Sequence, residues 1–142
     1  MEAQTRSYQS FTELNVWKEA RAFQLFIFEM CKALPSEEKY RLADQLIRAS
    51  RSIAANIAEG HGRFHFQEQI QFCRQSRGSL TEVLSHIYTA LDCKYVSEDK
   101  VKEVEQKAEV LLKLLNGYLF YLKNQKQTQS TKPPKTQGSP TQ

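Results

Sequence analysis

A chain of 142 residues, 40% of them hydrophobic and 25% charged, holds enough apolar material for one core and argues against a second domain. Its net charge of +4 is carried entirely by Lys123, Lys126, Lys132 and Lys135, because the 16 acidic residues are matched by basic ones before Leu122. The longest apolar stretch, Leu111 to Leu122, is broken by Lys113, Asn116 and Gly117 and is shorter than the ~20 residues of a membrane-spanning helix.

The opening residues Met1 to Arg6 lack the basic start and apolar run of a secretory signal, so a cytoplasmic protein with a flexible segment over 1–10 is expected. Asn15 is placed to cap a first helix, in which Val16, Ala20, Phe23, Ile27, Met30 and Leu34 recur at helical spacing before Pro35 ends it. Ser36 is the next candidate N-cap. Glu37 and Glu38 suit the positive end of a second helix whose seam is Leu42, Leu46, Ala49, Ile53 and Ile57, and Gly60-His61-Gly62 is expected to stop it. A third helix starts near His65, buries Phe72, Ser76, Leu80, Val83, Ile87 and Leu91, and runs to about Cys93. Ser97, followed by Glu98 and Asp99, opens a fourth with the seam Val101, Val104, Ala108, Leu111, Leu115, Tyr118 and Leu122. No strand-like alternation occurs. Four helices with short connections predict an all-α, up-and-down antiparallel four-helix bundle over 11–124. The segment 125–142, rich in Gln, Thr, Lys and Pro with no apolar anchor, is expected to be a disordered basic tail.

Two helices carry apolar residues beside their main seams. Trp17 and Phe28 on the first, and Ala43, Ile47, Ala54 and Ala58 on the second, mark an expected contact surface between copies of the chain. Ser52 and Asn56, with Gly78 and Ser79, are expected to permit close helix approach and internal hydrogen bonds.

Catalytic chemistry finds little support. Cys31, Cys73 and Cys93 are an odd number without C-x-x-C spacing and fit packed thiols better than a disulfide frame or zinc site. His61 and His65 have the separation of a helical metal pair, but His61 lies between two glycines that are expected to end the helix. His86 stands alone and is expected to face solvent. No paired Glu-x-x-His motif and no phosphate-cradling loop after a strand are present. A non-enzymatic protein without metal or cofactor follows.

Arginine is the sorted residue. Arg48, Arg51, Arg63, Arg74 and Arg77 cluster over a stretch with few acids, and the pairs 48/51 and 74/77 each share a helix face. Such an array can track nucleic-acid phosphates with salt-sensitive affinity, or it can serve as ion pairs. Phe64 and Phe66 are the few aromatics nearby, so backbone binding is favoured over base recognition.

The run Leu42 to Gly60 (LADQLIRASRSIAANIAEG), followed by Gly62-Arg63 and by Gly78-Ser79-Leu80 with Glu82, resembles the 23S ribosomal RNA intervening-sequence protein family. Phe11, Leu14, Val16-Trp17, Ala20 and Leu34-Pro35 also fit its pattern, over about residues 11–122. The resemblance implies a four-helix bundle encoded within bacterial 23S rRNA genes and assembling as a ring-shaped homopentamer. It also implies kinship with the accessory proteins of diversity-generating retroelements, which bind nucleic acid and a reverse transcriptase. Two functions are therefore expected: a nucleic-acid-binding scaffold, or an adaptor for a protein partner such as a reverse transcriptase. His65, standing where the family often has a serine, and a body without net positive charge are departures from the pattern.

Overall fold

The computed structural model describes residues 10–131, so the expected flexible start and the end of the expected tail lie almost wholly outside the described residues. Four helices follow one another: α1 (Asn15–Cys31), α2 (Leu42–His61), α3 (Phe66–Asp92) and α4 (Glu98–Thr131), with short 3-10 turns at Phe11–Glu13 and Ser36–Glu38. Each packs on its neighbour in sequence, and α1 also packs on α4 to close the bundle. The pairings are antiparallel: Tyr88 meets Glu105, Arg77 meets Asn116 and Gln67 meets Lys126, so numbers rise on α4 as they fall on α3.

The seams form one core. Phe23, Ile27, Leu46, Ile53, Ile57, Ile87, Leu111, Leu115 and Leu122 are almost completely removed from water. Each large aliphatic side chain so buried contributes roughly 1.5–3 kcal/mol against the ordering entropy of its helix. The centre of the α3 seam, Ser76, Leu80, Val83 and Ile87, is buried as expected, and its two ends differ. Ile70 and Cys73 are buried while Phe72 and Leu91 are half-buried, because Phe72 turns toward α2. On α4, Leu119 is buried and Tyr118 is half-buried.

Three helix ends differ from expectation. Leu14, not Asn15, is the N-cap of α1, and no side chain caps it. Ser36 does not open α2. Instead the chain makes a 3-10 turn there, and α2 begins at Leu42, whose N–H donates to Glu38 Oε1 at 3.2 Å. The other Glu38 oxygen accepts from the Tyr95 hydroxyl at 2.7 Å, tying the α1–α2 connection to the α3–α4 connection. Those two hydrogen bonds, with Arg41 nearby, lower the Glu38 carboxyl below its ordinary value, while Glu38 raises Tyr95 to about 12. Ser97 caps α4 as expected, accepting from the Lys100 N–H at 3.1 Å. α3 ends with Lys94 in the left-handed region (φ 64°) and the Tyr95 N–H bonded to the Ala90 carbonyl, a Schellman closure.

α2 ends within Gly60-His61-Gly62 as expected, at His61 with Gly62 as the C-cap, while Gly60 itself remains helical. At Gly60 α2 and α3 approach closely: a Cβ there would lie 2.7 Å from Cβ of Phe72. Nearby, Ser76 Oγ donates to the Ile53 carbonyl at 2.8 Å, and Ser52 and Ser79 hydroxyls meet at 2.9 Å. Asn56 Nδ2 donates to the Ser52 carbonyl and hydroxyl. The expected internal role of Ser52, Asn56 and Ser79 is thus fulfilled, whereas Gly78 has nothing within 4 Å of its would-be Cβ and mediates no close approach. At the far end, α4 runs on past the expected boundary at Asn124, through a stretch without glycine or proline.

Gly60→Ala is expected to destabilise the bundle by about 1–2 kcal/mol, the overpacking cost outweighing alanine's better helix propensity. A urea midpoint equal to or above wild type would show that the α2–α3 contact yields freely. A second expectation concerns pH. Because the folded Glu38 value is depressed, its stabilisation is full above the unfolded carboxyl value of about 4.3 and is lost as pH falls through the folded value. The stability difference between wild type and Tyr95→Phe should therefore be largest near neutral pH and shrink in acid. A difference that stays constant across that range contradicts the assignment.

Candidate nucleic-acid interface

The five sequence-predicted arginines do not share one face. Arg48 lies on the α3-facing flank of α2, its Nε 3.1 Å from Asp44 Oδ2, beside a hollow that also contains Glu82. Arg51 turns the other way and covers the Phe28 ring of α1 at 5.5 Å. Arg63, in the α2–α3 turn, bonds Glu59 at 2.9 Å and lies 5.0 Å over Phe72. Only Arg74 and Arg77 stand together on the flank of α3 that faces α4, where Arg77 Nη1 donates to Asn116 Oδ1 at 2.9 Å.

That flank gains Lys123 and also Lys126, which lies in the segment expected to be a tail. Arg74, Lys123 and Lys126 line one hollow with Gln67, Ile70 and Gln127, and every charged group in it is positive. Its composition has a sequence cause: α3 carries no carboxylate between Glu68 and Glu82, and the chain carries none after Glu109. Antiparallel pairing places these two acid-free segments side by side. The hollow continues past Gln67 and Lys126, which hydrogen-bond each other, to a second one lined by His65, Phe66 and Gln129. Four like charges along one groove raise its potential, and little in the lining offsets them. Spacing on single helices reveals the arginine pairs; placing Lys123 beside them requires the α3–α4 register, and placing Lys126 there also requires that α4 stays helical beyond Asn124.

The expected interface residues occupy the flank across the bundle, between α1 and α2. Phe28 and Ile47 line a common hollow with Cys31, Leu34 and Ala43. Trp17 packs edge-on to Phe11, with ring centroids 5.2 Å apart, and Ala58 is half-buried. Ala54 and Ala43 are a correction, since at 5% and 7% exposure both belong to the chain's own core. The most exposed large apolar side chains are others: Leu25, Tyr40, Phe64, Val110, Phe120 and Tyr121. Helical periodicity does not single them out, because Tyr40 and Phe64 lie in turns and the others fall outside the apolar seams of their helices.

Among the described residues no group of three or more His, Cys, Asp or Glu side chains is arranged to hold a metal. No described helix is long and apolar enough to cross a membrane. His86 is a correction: its side chain is 18% exposed and sits 3.2 Å from Glu82. Cys31 and Cys73 are buried, and burial pushes both thiols up to about 11, partly opposed at Cys73 by Arg77 and Arg74. Cys73 Sγ is directed at the Leu115 carbonyl at 3.6 Å. Both behave as packing groups.

Fold and site together define an all-helical bundle with a cationic groove at one end. The family model for the 23S rRNA-intervening sequence protein matches residues 12–117, and the chain belongs to that family. A crystal structure of a protein of unknown function from the S23 ribosomal protein family of Bacteroides thetaiotaomicron superposes with a TM-score of 0.68. It is 20% identical and is matched over 73% of this chain and 94% of that one, a likeness of fold. No curated protein matches the chain.

Thiol alkylation of the native protein near pH 8 should modify the exposed Cys93 well before Cys31 or Cys73, because the two buried thiols are almost wholly protonated there. Intact-mass spectra showing three modifications at equal rates would contradict the packing described.

Proposed function

We propose that this protein is a non-enzymatic scaffold that binds the nucleic-acid backbone in the α3–α4 groove through Arg74, Arg77, Lys123 and Lys126. The observation that carries the reading is the concentration of four cations on two facing, acid-free helix segments. Arginine supplies a planar fork for phosphate oxygens and lysine a mobile point charge, so together they suit a flexible polyanion without dictating its sequence. Arg48, Arg51 and Arg63 contribute less in this reading, since each is engaged by a carboxylate or a ring within the chain. Membership of the intervening-sequence family agrees with a role near RNA. We also propose assembly as a homo-oligomer, a ring of five by family resemblance, in which the Trp17, Phe28 and Ile47 flank supplies one of the two surfaces that each subunit of a ring uses.

The adaptor reading rests on a different feature, the outward face of α4 where Val110, Phe120 and Tyr121 are 51%, 67% and 52% exposed. It predicts that a defined polypeptide copurifies, whereas the scaffold reading predicts nucleic acid.

Binding measured against salt tests the scaffold directly. Affinity should fall along a log–log line with a slope of about −0.7 to −0.9 per phosphate contacted. Arg74→Ala with Lys123→Ala should flatten that slope by about 1–2 without unfolding the bundle, while Arg48→Ala with Arg51→Ala leaves it nearly unchanged. Salt-independent binding, or loss confined to the Arg48 and Arg51 variant, would sink the reading.

A further inference from the structure

The cationic groove ends at an aromatic side chain that nothing in the fold requires. Phe64 is 87% exposed in the turn between α2 and α3, where burial offers it no stabilisation. Its ring meets His65 edge-on at 4.9 Å, and His65 lines the hollow that continues the groove through Gln67 and Lys126.

The turn that presents Phe64 is held firmly. The Arg63 N–H donates to the Gly60 carbonyl at 2.9 Å, and Gln69 Nε2 donates to the Arg63 carbonyl at 3.0 Å. Arg63 also bonds Glu59, and Gly60 is pressed against Phe72. A phenyl ring is therefore displayed at a fixed place beside a row of cations.

Resting on the nucleic-acid reading above, we infer that the ligand of this groove is a single strand, whose phosphates follow Arg77, Arg74, Lys123 and Lys126 and whose unpaired base stacks on Phe64. A duplex keeps its bases stacked inside and offers an exposed phenyl ring nothing to cover. A single strand offers a π-face at every nucleotide, and base–aromatic stacking beside a basic groove is a sequence-tolerant way to hold it. Gln129, in the lining of the second hollow, carries an amide that both donates and accepts, as base edges require.

The test is fluorescence anisotropy of the full chain with labelled oligo-U and oligo-dT strands and with an RNA duplex of equal length, for wild type, Phe64→Ala and Phe64→Trp. The expected result is tighter binding of either strand than of the duplex. Phe64→Ala should lose about 5- to 150-fold for the strands and little for the duplex, while Phe64→Trp retains strand affinity. Because Phe64 is exposed, both variants should melt like wild type. Equal binding of strand and duplex, with no effect of Phe64→Ala, overturns the single-strand inference and leaves the groove reading standing. Absence of binding to all three ligands overturns both, and efficient competition by polyglutamate overturns both in favour of an acidic protein partner.

Discussion

The close contact between α2 and α3 is the constraint on which the rest of the molecule depends. Gly60 admits the Phe72 side chain to a distance that no other residue would allow, and Ser76 fixes the same pair of helices through the Ile53 carbonyl. Polar groups so placed are satisfied inside the bundle, which favours one helix register over slipped alternatives. Turning Phe72 toward Gly60 directs Cys73 inward and Arg74 toward α4. The position of the cationic groove is thus a consequence of packing on the opposite flank of α3.

Charge sorting follows from that geometry. Two of the four lysines that carry the chain's net charge, Lys123 and Lys126, join Arg74 and Arg77 on one face, because α3 and α4 are locally free of acid over the segments that the antiparallel arrangement sets side by side. Elsewhere the same kinds of residue neutralise one another or cover aromatic rings, as Arg48 does with Asp44, and Lys107 with Phe26. Pairs of that exposed kind contribute little to stability. Their effect is to confine the unbalanced potential to one groove.

Much of the fold was legible in the amino-acid pattern. Periodic apolar residues located four helices, and Ser97 announced the start of the last because its cap is local chemistry. Features that depend on a partner in space were not. Glu38 replaces Ser36 at the start of α2 because Tyr95, 57 residues away, holds its carboxylate in place. Gly60-His61-Gly62 reads as a stop and the helix does end there, but the contact of Gly60 with Phe72 depends on α3 and carries no local signal. Phe72 and Cys73 are adjacent and both apolar, so sequence could not say which of two directions faces the core. The candidate site was half visible for the same reason. Arg74 and Arg77 stood out by spacing, while Lys123 and Lys126 join them only across an interhelical groove, and Arg48, Arg51 and Arg63 turn to other flanks.

The claim that the α3–α4 groove receives the nucleic-acid backbone can be mapped directly by lysine footprinting. Acetylation rates would be measured for each lysine with and without a saturating oligo-U strand. The account predicts that Lys123 and Lys126 become strongly protected, while Lys18, Lys32, Lys39 and Lys102 on other surfaces keep their free rates. Protection spread evenly over all lysines, or concentrated at Lys32 and Lys39 beside the α1–α2 hollow, would contradict it.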